Sequence, residues 1–318
     1  MRTTSKGQLF WRVSALALMS TAGASGAKAA EAGHTWTLEL DGTYEFDHEA
    51  ATQSFIPSDA IPDAYLKPKH GYDVGGRLTY QPDGSPMSYG LAVHFGRTSE
   101  VRHSATVAYY SKYLENQSVQ NRATTSHAVV DFEVGKDIGL GLFSHDGVAT
   151  IGGGLRYGHF SSTTRGVFST TAKYSNSFNT FTQDGTFKLT RTTDAVGPRL
   201  FFRTTQPLPG ELGRSGLSLG IGADGSVLFG RQRTNNNVES TGAYTTQFPA
   251  IHRSRNRTMG TLGAFAQINW HTTGSPLTLS VGYKVDDYIN ALDGGFQTSH
   301  GIDILQHGPF ASMIWKLP

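Results

Sequence analysis

Residues 36–47, Trp-Thr-Leu-Glu-Leu-Asp-Gly-Thr-Tyr-Glu-Phe-Asp, alternate between apolar and polar. Trp36, Leu38, Leu40, Tyr44 and Phe46 share one parity; Glu39, Asp41, Glu45 and Asp47 share the other. Successive side chains on a strand point to opposite faces, so this segment predicts a strand with one apolar and one acidic face. The same alternation recurs near 71–81, 89–95, 128–134, 151–157, 190–204, 217–229, 262–270 and 277–285, and in a last strand ending at Leu317. The pattern predicts an all-β chain of about ten strands, with twelve as the alternative.

The connections alternate in length. Stretches near 48–70, 97–126, 161–185, 231–254 and 290–301 are long and polar and read as loops, whereas 82–86 and 272–276 are Pro/Gly/Ser turns. Long loops at one end and short turns at the other predict a transmembrane antiparallel up-and-down β-barrel, with both termini on the short-turn side. The aromatic residues sort accordingly. Trp36, Tyr80, Tyr89, Phe202, Trp270 and Trp315 fall toward the short-turn end; Tyr44, Phe46, Tyr72, Phe95, Tyr157, Phe229 and Tyr283 fall toward the other. All lie on the apolar parity, as interfacial girdles require.

The first 29 residues sharpen the compartment. Arg2, Lys6 and Arg12 precede an apolar stretch at 13–22 and a small-x-small site, Ala27-Lys28-Ala29. This is the layout of a signal peptide, too short to span a bilayer as a helix. The expected organisation is therefore a signal peptide over 1–29 and a barrel over 30–318, exported to the cell outer membrane. Composition agrees: among 318 residues only 37% are hydrophobic, yet glycine numbers 38. A barrel wall needs only one apolar residue in two. There is no cysteine, which excludes disulfides and thiolate metal sites. A net charge of +2 argues against a dedicated nucleic-acid binder.

Putting the polar parity inside makes a lumen of Glu39, Asp41, Asp131, Glu133 and Asp224 with Arg156, Arg199, Arg203 and Lys284, which predicts a cross-strand ion-pair network. The reverse orientation would place bases in lipid at ~2–4 kcal/mol each, against a folding stability of about 5–15 kcal/mol. Two readings of that lumen stay open. It is a charged pathway for small hydrophilic solutes, as in a porin, or an interior pinned shut by its own side chains. Phe201, Phe265 and Phe310 also point inward and favour filling. Arg253, Arg255 and Arg257 form a basic cluster expected at the outer mouth.

Catalytic signals are weak: the chain has no His-Glu-x-x-His, Gly-x-Ser-x-Gly or Walker motif. His94 and His127 face the lumen, and Asp131 lies near His127 in sequence, so an Asp–His pair is conceivable, but no enzyme and no cofactor are expected. The expected partners are outer-membrane lipids, lipopolysaccharide and the barrel-assembly machinery, with no nucleic acid. A non-conducting barrel with partner-binding loops is the second functional expectation, and a barrel hydrolase the third.

Several stretches resemble the pore-forming outer-membrane family related to the Legionella major outer membrane protein. They are the segment 130–142, Gly154-Leu-Arg-Tyr157, Val196-Gly-Pro-Arg199, the segment 226–232 and His307-Gly-Pro-Phe310. The resemblance implies a barrel, an outer-membrane location and a porin-like role, and it supplies no catalytic or ligand residues. The chain departs from it in ending on Leu317-Pro318, where members end on an aromatic residue.

Overall fold

The structure is a computed structural model that describes residues 34–48, 52–53, 65–66, 68–110, 113–139, 147–174, 180–242, 251–272, 274–293 and 301–317. The expected signal peptide lies outside them. The elements are β1 (His34–His48), β2 (Thr52–Gln53), β3 (Tyr65–Leu66), β4 (His70–Pro82), β5 (Met87–Thr98), β6 (Val101–Tyr110), β7 (Tyr113–Asp137), β8 (Val148–Tyr174) and β9 (Thr180–Pro207). A single helical turn, α1 (Glu211–Arg214), leads into β10 (Leu217–Gly242), β11 (Ile251–His271), β12 (Leu277–Asp293) and β13 (Gly301–Leu317).

One sheet holds eleven strands, and the pairing of β5 with β7 closes it on itself. Its wall runs β1-β4-β5-β7-β8-β9-β10-β11-β12-β13 and back to β1 through antiparallel pairs. Closure removes every edge along that ring. The eleventh strand, β6, continues β5 after two residues and pairs with the far half of β7. This is how the sheet exceeds the ten strands expected.

The parity is as the alternation predicts. Outward apolar residues are exposed, Leu200 at 72% and Val281 at 63% among them, while their inward neighbours Arg199 and Ser280 are buried. Trp36 and Tyr80 face each other in register with ring centroids 4.8 Å apart, and Tyr80 and Tyr89 continue the band at 6.4 Å. The turns at the short end are built as their composition demands. Ser85 N donates to Pro82 O at 3.2 Å around Gly84, whose φ is +63°, a backbone state glycine adopts without strain.

The polar stretches expected as loops at 97–126, 161–185 and 231–254 are largely strand instead. β7 to β10 run 25 to 28 residues, against 12 to 15 for β1, β4 and β5. A bilayer needs only about 9–11 residues per strand. The surplus makes a tall palisade on one side of the barrel. Its outward residues are mostly Ser, Thr, Asn and charged side chains, with Val167 an exposed exception, so alternation in hydrophobicity, the sequence signal for a strand, is weak there. Of the remaining loop expectations, most of 48–70 and 290–301 falls outside the described residues.

Candidate functional site: the barrel interior

Inward side chains fill this interior because glycine makes room for them. Phe201 faces Gly152 in register, Phe265 faces Gly222, Phe310 faces Gly282, His94 faces Gly75 and His127 faces Gly96. In each pair a Cβ on the glycine would lie 2.0–2.7 Å from a ring atom. The ring therefore lies flat over its neighbour's backbone, a pairing that lets a wide ring pack inside a narrow barrel.

Toward the short-turn end the charges interlock. Arg156 donates to both oxygens of Asp131, Nε to Oδ1 at 2.7 Å and Nη2 to Oδ2 at 2.9 Å, and its Nη1 meets Asp224 Oδ2 at 2.9 Å. Arg199 Nη2 contacts Asp224 Oδ1 at 3.1 Å, and its Nη1 reaches Asp131 at 3.3 Å and Glu133. Arg203 forks onto Glu133 with two bonds of 2.8 Å while lying 4.4 Å over the Phe201 ring. Arg77 joins Glu39 at 3.0 Å. Four bases thus face four acids, drawn from β1, β4, β7, β8, β9 and β10. Such pairs add little net stability relative to an apolar core, but removing one partner is costly, so they fix register across the lumen.

A second cluster is centred on Asp73. Its Oδ1 accepts from Lys284 Nζ at 2.8 Å and lies 3.2 Å from His94 Nδ1; its Oδ2 lies 3.0 Å from His127 Nε2. Asp41 approaches His94 at 3.8 Å, and Gln306 donates to Glu45 at 3.2 Å. Two triads, Asp41–Asp73–His94 and Glu45–Asp73–His127, bring one ligand atom per residue within 4.8 Å of one another. Among the described residues these are the groups whose ligand atoms lie close enough to share a metal ion, but Lys284 already places a cation on the carboxylate they share.

Beyond these charges, on the long-strand side, lies an apolar septum of Val129, Phe160, Ala195, Leu228, Met259, Tyr288, Ala291, Leu292 and Ile304. Phe160 on β8 and Tyr288 on β12 are four strands apart round the wall, yet their ring centroids are 4.8 Å apart. His127 closes the same stack from β7, 5.7 Å from Tyr288. Phe160, Leu228 and Met259 are 0% exposed. Glu45, Asp73 and Thr98, from β1, β4 and β5, are at most 3% exposed. Below the septum a cavity of about 110 Å³ is lined by Glu39, Asp41, Arg77, Arg156, Lys284 and Asp286 among others. Its lining mixes these charges with Ala264, Phe265 and Phe310, and it has room for several waters.

No protein-family model matches the chain, and no curated protein does. Among solved structures it is similar to the outer membrane protease OmpT from Escherichia coli at 9% identity, over 92% of this chain and 99% of that one, with a TM-score of 0.47. It is also similar to a major outer membrane protein from Thermus thermophilus (10% identity, 89% and 99% covered, TM-score 0.35) and to LpxR from Salmonella typhimurium (11%, 87% and 99%, 0.28).

The sequence-expected lumen residues fall into two groups. Glu39, Asp131, Glu133, Arg156, Arg199, Arg203 and Asp224 meet in the first cluster, Asp41 and Lys284 in the second. The basic run of β11 is divided. Arg257 is engaged by Gln232 Oε1 at 2.9 Å and by Asn290, Arg255 is half-buried, and Arg253 is exposed. The conceivable Asp131–His127 pairing is replaced: Asp131 is taken by Arg156, and both histidines turn to Asp73. Sequence reasoning did not single out Asp73 as the hub. No spacing along one strand signals it, because its partners sit on β5, β7 and β12.

Proposed function

We propose that this chain spans a bacterial outer membrane as a barrel closed to solutes, and that it acts through the surface its palisade raises above the membrane. The observation that carries the reading is the septum. Rings from β7, β8 and β12 meet across the lumen, and side chains from every wall strand around them are buried. A water-filled path needs polar, solvated walls, whereas here packed rings and aliphatic side chains occupy the space such a path would need. The exposed aliphatic band with aromatic rings at its border supports placement in a bilayer, since a surface so apolar is not left to water. Of the two readings open from the sequence, the interior thus favours the non-conducting, binding or structural barrel over porin-like passage.

Reconstitution into planar bilayers tests it. The expected result is an electrically silent membrane at protein densities where a general porin gives steady steps. Regular single-channel steps from the unmodified protein would overturn the closed reading and restore passive passage.

A further inference from the structure

Four bases stand in one row on the outer face of the palisade. Arg102 faces Arg122, Arg122 faces Arg165, and Arg165 faces Lys188, each in direct register across β6, β7, β8 and β9. Their neighbours in sequence Asn121, Thr164 and Leu189 are buried inward, so Arg122, Arg165 and Lys188 point out. Adjacent strands lie ~4.8 Å apart, which packs four cations into about 15 Å. Like charges directly opposite on a sheet destabilise it. Arg102 is paired with Glu100 at 2.8 Å; among the described residues, no acid pairs with the other three. The row borders a groove of about 870 Å³, whose other bank carries Gln120 and Thr186, with Glu239 at its far end.

We infer that this row is a binding site for the acidic sugars of lipopolysaccharide, those bearing phosphate and carboxylate above the headgroups of the same membrane. The inference rests on the outer-membrane placement proposed above. Position argues for it. Among the described side chains of β8 the last exposed tyrosine, tryptophan or phenylalanine ring is Tyr157, and Arg165 comes eight residues later; on β9 the same interval separates Val196 from Lys188. That is about 26 Å along a strand, or roughly 20 Å of height at the tilt of a barrel wall. Headgroups occupy only about 5–8 Å beyond the hydrocarbon, so lipid-anchored phosphates fall short of the row. An anionic saccharide chain standing beside the barrel does not. Chemistry agrees: three guanidinium groups and an ammonium present fixed donors to phosphate and carboxylate oxygens, and nearby hydroxyl and amide side chains suit sugar hydroxyls.

The test uses the full barrel, purified in neutral detergent, with the triple variant Arg122→Gln/Arg165→Gln/Lys188→Gln and the single variant Arg165→Gln. Heat-modifiable gel mobility verifies the fold of each. Three probes are titrated: lipopolysaccharide with a complete phosphorylated core, lipid A alone, and heparin as a soluble polyanion. The triple variant is expected to bind core-bearing lipopolysaccharide about tenfold or more weakly, and the single variant about twofold to threefold. Lipid A should bind wild type and variants alike. Wild-type affinity of the triple variant for the core-bearing form, an equal loss for lipid A, or a loss seen with heparin alone would each overturn the inference. A protein that does not fractionate with outer membranes would instead sink the placement on which it rests, which separates the two failures.

Discussion

Arg156 and Asp131 face each other in register across β7 and β8 and are joined by two parallel hydrogen bonds, at 2.7 and 2.9 Å, inside the barrel. Both side chains are less than one-tenth exposed. Asp131→Asn leaves a buried guanidinium short of one counter-charge and is expected to cost about 3 kcal/mol, the low end for breaking a buried pair because Asp224 remains. The double variant Asp131→Leu/Arg156→Met removes both charges and should cost less than Asp131→Leu or Arg156→Met alone, which with the wild type complete the cycle. Urea unfolding of the four proteins gives the coupling energy. Additive losses would show that the pair is not a unit.

The septum makes a prediction about conduction. Phe160→Ala with Tyr288→Ala removes the ring contact that bridges β8 and β12. Each change is expected to cost about 3–5 kcal/mol as a large-to-small substitution in a packed interior. If the septum is the seal, the double variant acquires channel events in bilayers where wild type is silent. A folded double variant that stays silent would transfer the seal to the ion-paired layer beneath.

Glycine under a ring gives a sharper test of packing. A Cβ on Gly96 would lie 2.0 Å from His127 Cε1, so Gly96→Ala must push the imidazole away from Asp73. Overpacking of this kind costs about 1–3 kcal/mol. Gly42 on β1 faces outward, and a Cβ there would meet nothing within 4 Å. It serves as the control, with Gly42→Ala expected to be near neutral. Equal effects at the two positions, measured by urea unfolding, would discount the ring-over-glycine account.

What the sequence made legible follows from period-two alternation. Where lipid lies outside and charge inside, as from Trp36 to Phe46, the strand and its orientation are readable from one segment. In the palisade the outward face is mostly polar, and the inward apolar residues, Val119, Phe168, Phe187 and Val238 among them, are spaced between Asn, Gly and Thr, so Arg165 sits in a stretch that reads as loop and Lys188 just beyond it. The charge network was readable as a set but not as pairs. Asp131 and Arg156 occupy adjacent strands and could be matched, whereas Asp73 and Lys284 meet across the lumen from β4 and β12. Only closure of the sheet brings such residues together. The cationic row was hidden for a related reason: each base is ordinary in its own segment, and register alone aligns them.

That row predicts a gain where most substitutions lose. Arg165 has an arginine directly opposite on one neighbouring strand and a lysine directly opposite on the other. Arg165→Thr keeps a β-favouring residue and relieves two like-charge contacts. In detergent free of lipopolysaccharide it is expected to stabilise the barrel by about 0.2–1 kcal/mol, and the gain should shrink as salt rises and screens the row. Thermal unfolding at low and high ionic strength measures both. A loss of stability at low salt would mean that the arginine is held by contacts that offset its repulsion, and the row would then be structural rather than kept for an anion.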